Sequence, residues 1–124
     1  MIKVNEVAYI AYPSTDMARS RAFYEGVLGL KPTYENKREN FAWVEYDIGA
    51  TTLGIGQSAD WKPSREGPTV ALEADDFDEA IAGLRQHGLS FVMEPFETPV
   101  CNMALIRDPD GNQIMIHKRK PGRG

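Results

Sequence analysis

Arg107-Asp-Pro-Asp-Gly-Asn-Gln-Ile-Met-Ile-His117 is the stretch on which the reading of this chain turns. Its first half, Asp108-Pro-Asp-Gly-Asn112, is a cluster of turn residues. Proline presets φ, Asp and Asn side chains bond to their own backbone, and Gly111 supplies a position with φ > 0. Apolar runs flank the cluster, Met103 to Ile106 before it and Ile114 to Ile116 after it. The pattern predicts a β-hairpin with a loop longer than the two-residue minimum. Side chains alternate along a strand, so Ile114 and Ile116 share one face and Met115 and His117 the other.

Ahead of the hairpin, Thr69–Glu73 reads as a strand and Asp75-Asp76 as a helix cap. Phe77 to His87 reads as a helix with Phe77, Ala80, Ile81 and Leu84 on one face, ended by Gly88. Leu89 to Met93 reads as a strand, and Glu94 to Pro99 as a polar loop broken by prolines. The first half follows the same order. Val7 to Tyr12 reads as a strand, and Ser14-Thr15-Asp16 offers caps. Met17, Phe23, Tyr24, Val27 and Leu28 suit an amphipathic helix closed by Gly29. Tyr34 begins a short strand before the polar run Glu35 to Asn40. Phe41–Tyr46 and Thr51–Ile55 read as strands joined by a turn at Asp47-Ile-Gly49.

The halves match at a nearly constant offset: Tyr9 falls opposite Thr69, Gly54 opposite Met115, and Leu53 and Ile55 opposite Ile114 and Ile116. One four-stranded sheet with one helix leaves a sheet face bare, so two such copies are expected to pair. The expected fold is α+β, two βαβββ modules forming a curved mixed sheet around a cup. The modules span about 4–57 and about 68–119, with a linker at 58–67.

A chain of 124 residues, 42% hydrophobic and 26% charged, fits one domain, or two small modules sharing one core. A net charge of −4 supplies no field for a nucleic-acid backbone. The basic Lys118-Arg119-Lys120 tail with Arg123 reads as solvated fraying. One cysteine, Cys101, excludes an internal disulfide and fits a reducing compartment. No apolar run approaches a membrane span, and no signal-peptide pattern opens the chain. A cytoplasmic location is expected.

Asp16-Met-Ala-Arg-Ser-Arg-Ala-Phe-Tyr-Glu-Gly-Val-Leu-Gly-Leu30 resembles the first helix of the vicinal-oxygen-chelate superfamily, and Asp108 to Asn112 with its strand resembles that superfamily's final hairpin. The superfamily holds glyoxalase I, bleomycin-resistance proteins, extradiol dioxygenases and fosfomycin-resistance enzymes, so the resemblance implies a fold rather than one activity. In its enzymes a divalent metal is held by His, Gln or Glu from the first and last strands of each half. Carried over by register, those four slots are Tyr9, Gly54, Thr69 and Met115. Glycine offers no donor, a thioether disfavours hard divalent ions, and neutral hydroxyls are poor ligands. No metal or other cofactor is therefore expected.

His117 stands two residues past the last slot, either as a rim histidine or as a ligand contact or acid–base group. Trp43 shares a face with Phe41 and Glu45, and alternation alone leaves that face open, toward the cup or toward the helix. His87 at a helix end and Cys101 near a strand start read as structural. The expected ligand-binding set is Tyr9, Phe41, Trp43, Glu45, Gly54, Thr69, Met115 and His117. The reading that follows is a metal-free binder of a small, partly apolar or aromatic organic molecule, in the manner of bleomycin-resistance proteins. The alternative is a metal-dependent lyase resembling glyoxalase I, or a dioxygenase, acting on a vicinal-oxygen substrate. There His117 with Glu45 or Glu73 would hold the metal. The resemblance also implies a homodimer, since an open sheet leaves edges and apolar surface to cover.

Overall fold

A computed structural model describes residues 3 and 6–121. The chain divides into two compact units, Met1–Pro63 and Ser64–Gly124. Each is a βαβββ module, and the two share one strand order.

In the first unit, β1 (Tyr9–Pro13), β2 (Tyr34–Arg38), β3 (Phe41–Ile48) and β4 (Thr51–Gln57) form a sheet ordered β1-β4-β3-β2. β1 runs parallel to β4, and the other pairs are antiparallel. The helix α1 (Met17–Arg21) starts at Asp16, whose carboxylate accepts the Arg19 N–H at 3.1 Å. This is the side-chain cap that the Ser-Thr-Asp run predicts. Gln57 ties the same helix start to the sheet. Its Oε1 accepts the Met17 N–H at 2.9 Å, and its Nε2 donates to the Thr15 carbonyl at 3.1 Å.

The helix continues as a wider π turn, Ala22–Val27, where the Leu28 N–H reaches back to the Phe23 carbonyl at 3.0 Å. Gly29, at φ 73°, ends it. Phe23 and Tyr24 meet edge to face at 5.1 Å, and Tyr24 stacks on Tyr46 of β3 at 6.0 Å. With Tyr12, Val44, Leu53 and Ile55 they form the buried core of this unit. Burying each such side chain contributes about 1.5–3 kcal/mol.

The second unit repeats the plan with β5 (Val70–Glu73), β6 (Met93–Glu97), β7 (Cys101–Arg107) and β8 (Gln113–Arg119), ordered β5-β8-β7-β6. The helix α2 (Phe77–Gln86) is capped by Asp76, which accepts the Glu79 N–H at 3.0 Å. Ile81 and Leu84 of α2 are buried, as are Val70, Ala104, Ile106, Ile114 and Ile116 of the sheet. The β7–β8 hairpin turns on Asp108. Its Oδ1 accepts the N–H groups of Asp110 and Asn112, each at 2.9 Å, and its Oδ2 accepts from Asn112 Nδ2 at 2.8 Å. Asp108 and Asn112 are buried, and Gly111 takes φ 91°.

Three local expectations are corrected. The strand expected to begin at Tyr34 extends through the polar run as far as Arg38, so Glu35 to Arg38 is the body of β2. It is an edge strand, where charged side chains suit the solvated side and discourage further pairing. The expected turn at Asp47-Ile-Gly49 starts later, because β3 runs through Ile48 and Gly49 at φ 58° makes the bend. The strand expected at Leu89 to Met93 begins only at Met93 and runs to Glu97, into the expected polar loop. Pro95 lacks an N–H, yet β6 is an edge strand and its register shifts between Met93 and Phe96. Proline is tolerated in that setting.

Glu25 connects helix and sheet. Its carboxylate accepts from Arg21 Nε at 2.5 Å and from the Tyr46 hydroxyl at 3.0 Å, and Arg21 also pairs with Glu35. The hydrogen bond from Arg21 holds the Glu25 pKa below the ordinary 4.5, against the opposing effect of burial. Burial, then the Glu25 contact, pushes the Tyr46 phenol well above its usual value. A depressed carboxylate pKa stabilises the fold above 4.5, and the contribution is lost as pH falls through the lowered value. Glu25→Gln is expected to cost on the order of 1 kcal/mol near neutral pH, with the gap from the parent closing in acid. Urea denaturation stepped from about pH 7 to about pH 3 reads this. A gap that stays constant throughout would remove Glu25 as an acid-labile tie.

Candidate functional site

The site is built on β3. Val44 and Tyr46 are buried, and the Tyr24–Tyr46 stack shows that their face looks toward the helix. Strand alternation puts Phe41, Trp43 and Glu45 on the opposite face, which settles the side that Trp43 takes. Across the sheet Trp43 pairs with Gly56 and Glu45 with Gly54. The indole lies over both glycines. A Cβ at Gly54 would fall inside the van der Waals envelope of Trp43 Cζ2 and Cη2. One at Gly56 would stand 2.9 Å from Trp43 Cε3 and 2.7 Å from Trp61 Cζ3. Both glycines are thus required by the close approach of a ring.

The rest of the strip assembles around that ring. Trp43 Nε1 donates to Glu45 Oε2 at 2.8 Å, which fixes the indole's orientation. Tyr9 meets the indole edge on, with centroids 5.7 Å apart and planes at 81°. Phe41 lies nearly parallel to it at 6.5 Å and 11°. Tyr9 is 56% exposed, so its ring is available from solvent. Five of the expected residues, Tyr9, Phe41, Trp43, Glu45 and Gly54, therefore lie together on one sheet face.

Thr69, Met115 and His117 belong to the other unit. Thr69 precedes β5, and its hydroxyl lies 3.5 Å from Gln113 Oε1, while Ala71 is the residue opposite Met115. His117 Nδ1 lies 2.6 Å from Glu73 Oε1, and Glu73 Oε2 accepts the Arg119 N–H at 2.7 Å. Burial alone would raise the Glu73 pKa, but the Arg119 N–H, His117 and the Arg119 charge outweigh it and hold the carboxylate below its ordinary value. Glu73 is thereby occupied as the anchor of His117 and of the end of β8.

The residues at the four positions that the resemblance assigns to a metal do not fit one. The ring of Trp43 fills the space a Gly54 side chain would use, and Met115 offers only sulfur. Among the described residues no group of three or more His, Cys, Asp and Glu side chains could hold an ion.

Two features lay outside the sequence reading. Trp61, assigned to the linker, folds back against Gly56 through a bridge pairing Ser58 with Trp61. A tryptophan between Asp60 and Lys62-Pro63 was the available signal, since so large an apolar ring seldom stays in solvent. The second is Arg107, whose Nε is buried with no hydrogen-bond partner among the described residues.

The repeated βαβββ unit, with an aromatic strip on one face of its first sheet, defines a small two-module α+β protein. Residues 6–116 match the Glyoxalase/Bleomycin resistance protein/Dioxygenase superfamily, and the chain belongs to it. It is 31% identical over 121 residues to a lactoylglutathione lyase of Salmonella typhimurium, covering 88% of this chain and 90% of that protein. Among solved structures it is similar to TnmS3, an antibiotic binding protein from Streptomyces sp. CB03234. That match has a TM-score of 0.80 and 23% identity, and covers 97% of this chain and all (100%) of that one. It is also similar to a glyoxalase family protein from Enterococcus faecalis, with a TM-score of 0.75, 24% identity, and coverage of 91% and 97%. Among the described residues no helix is long and apolar enough to cross a membrane.

Gly54→Ala is expected to drive Trp43 off the sheet. The overpacking should cost about 1–3 kcal/mol and shift tryptophan emission. Denaturation followed by fluorescence checks both, and a variant with parental stability and spectrum would mean that the ring does not rest there.

Proposed function

We propose that this protein binds a small, partly aromatic or apolar organic molecule on the strip formed by Tyr9, Trp43 and Phe41, without a metal. The observation that carries the reading is the Trp43 indole laid over Gly54 and Gly56, with Gly54 at a position that the family resemblance assigns to a metal-holding side chain. A ring face beside a second, exposed ring offers stacking and apolar contact instead of Lewis-acid chemistry. The existence of an antibiotic binding protein with this fold is compatible with such a role. The free, buried Cys101 supports a reducing, cytoplasmic setting.

Tyr9 is the strip's exposed wall. A stacked or edge contact contributes on the order of 1 kcal/mol beyond buried area. Tyr9→Ala is therefore expected to weaken a ligand found by screening at least about fivefold. Titration by quenching of Trp43 emission reads the change, and unaltered affinity would take Tyr9 out of the site.

A second reading, a metal-dependent lactoylglutathione lyase-like enzyme or dioxygenase, is favoured by the identity to curated lyases. The two separate on metal content. Protein dialysed against a mild chelator and resupplied with Mn, Ni, Zn and Fe is expected to emerge from gel filtration without stoichiometric metal. Retention of about one ion per chain, lost in His117→Ala, would put the lyase first. Light scattering on the same column tests the proposed homodimer, which the exposed Tyr34, Met93 and Phe96 on edge strands support. A species of only 13.9 kDa would refute it.

A further inference from the structure

At the end of the first sheet, the tip of the β2–β3 hairpin, the Ser14-Thr15 corner and the segment after β4 enclose a cleft of about 800 Å³. Its size suits a drug-sized molecule. Phe41 and Trp61, both half-buried, supply apolar wall. Phe41 is also the end of the aromatic strip, and Trp61 shares Gly56 with Trp43, so cleft and strip adjoin.

The charges of this cleft run against those of the molecule. The chain carries a net −4, yet Lys37, Arg38 and Lys62 line the cleft against a single carboxylate, Glu39. Elsewhere in this unit, Arg21 is paired with Glu25 and Glu35. The side chains of Lys37, Arg38 and Lys62 make no ion pair or hydrogen bond among the described residues. The local excess of positive charge beside apolar walls concentrates anions there. Glu45 stands at the other end of the strip, with one carboxylate oxygen already engaged by the Trp43 N–H, so it does not oppose an anion at the hairpin tip.

We infer that the molecule bound is an organic anion: its flat, apolar body rests on Phe41 and Trp61 toward Trp43, and its carboxylate, sulfonate or phosphate group meets Lys37, Arg38 and Lys62. The inference rests on the binding reading above and adds the charge of the ligand to it. Exposed ion pairs are individually weak, and a cluster of three amounts to about a tenfold preference.

The test uses a matched pair of probes, 8-anilinonaphthalene-1-sulfonate and its uncharged counterpart N-phenyl-1-naphthylamine. Each is titrated into the full chain at low salt and again at about 0.5 M salt. The sulfonate is expected to bind about tenfold more tightly at low salt, with the preference collapsing as salt screens it. The triple variant Lys37→Gln, Arg38→Gln, Lys62→Gln should bind both probes alike while keeping the parent's affinity for the neutral one. Its melting temperature should match the parent's, since all three side chains are exposed. If the neutral probe binds and the sulfonate binds no more tightly, the inference fails and the binding reading stands. A preference that survives in the triple variant also overturns it. If neither probe binds, the binding reading falls and takes the inference with it.

Discussion

Two glycines under one indole constrain the first sheet. Trp43 can lie flat on β4 only because Gly54 and Gly56, its cross-strand neighbours, present no Cβ. The ring in turn meets Tyr9 and Phe41, shares the space over Gly56 with Trp61 and engages Glu45. On the far face, Val44 and Tyr46 pack toward the helix, and Tyr46 reaches Glu25. One strand, β3, therefore supplies both the core of its unit and the candidate binding surface. The alternation of its side chains keeps the two apart.

The family tie and the chemistry of the strip pull in different directions. Sequence identity points to lactoylglutathione lyases, while the positions that the family resemblance assigns to metal ligands carry an aromatic, a glycine, a threonine and a methionine. A shared fold carries the strand order and the hairpin, and it leaves the side chains on the free face open to replacement. Hard divalent ions need several oxygen or imidazole donors converging on one point. At Gly54 a tryptophan ring takes the space a donor side chain would need, so this position offers stacking in place of coordination.

What the sequence made legible was local. Asp108 to Asn112 announced its hairpin because each residue there has a backbone role that does not depend on the rest of the fold. The same holds for Asp16 and Asp76 as caps and for Gly29 and Gly88 as helix ends. The internal repeat was readable because turns and apolar pairs recur in register. What failed depended on position in the sheet. The Glu35 to Arg38 run and the Pro95 segment look unlike strands until they are known to lie on edges, where charge and a missing N–H do little harm. In the site, Gly54 was readable as a missing donor but not as the seat of an indole, which is a tertiary fact. Trp61 was lost in a stretch rich in loop formers, and the face of Trp43 could not follow from a period of two alone.

The hydrogen bond between Trp43 and Glu45 bears on selectivity. An indole has one polar handle, its N–H, and here that handle is spent inside the protein. What the ring shows to a visitor is π surface alone, bounded by the edge of Tyr9 and the parallel face of Phe41. Such a surface sorts molecules by flatness and breadth rather than by their pattern of donors and acceptors. A missing hydroxyl in the visitor would leave nothing unsatisfied on the indole, whereas a pucker in its ring system would break contact across the whole face. On the proposed binding reading, the strip is tolerant among chemically varied flat compounds and strict about shape.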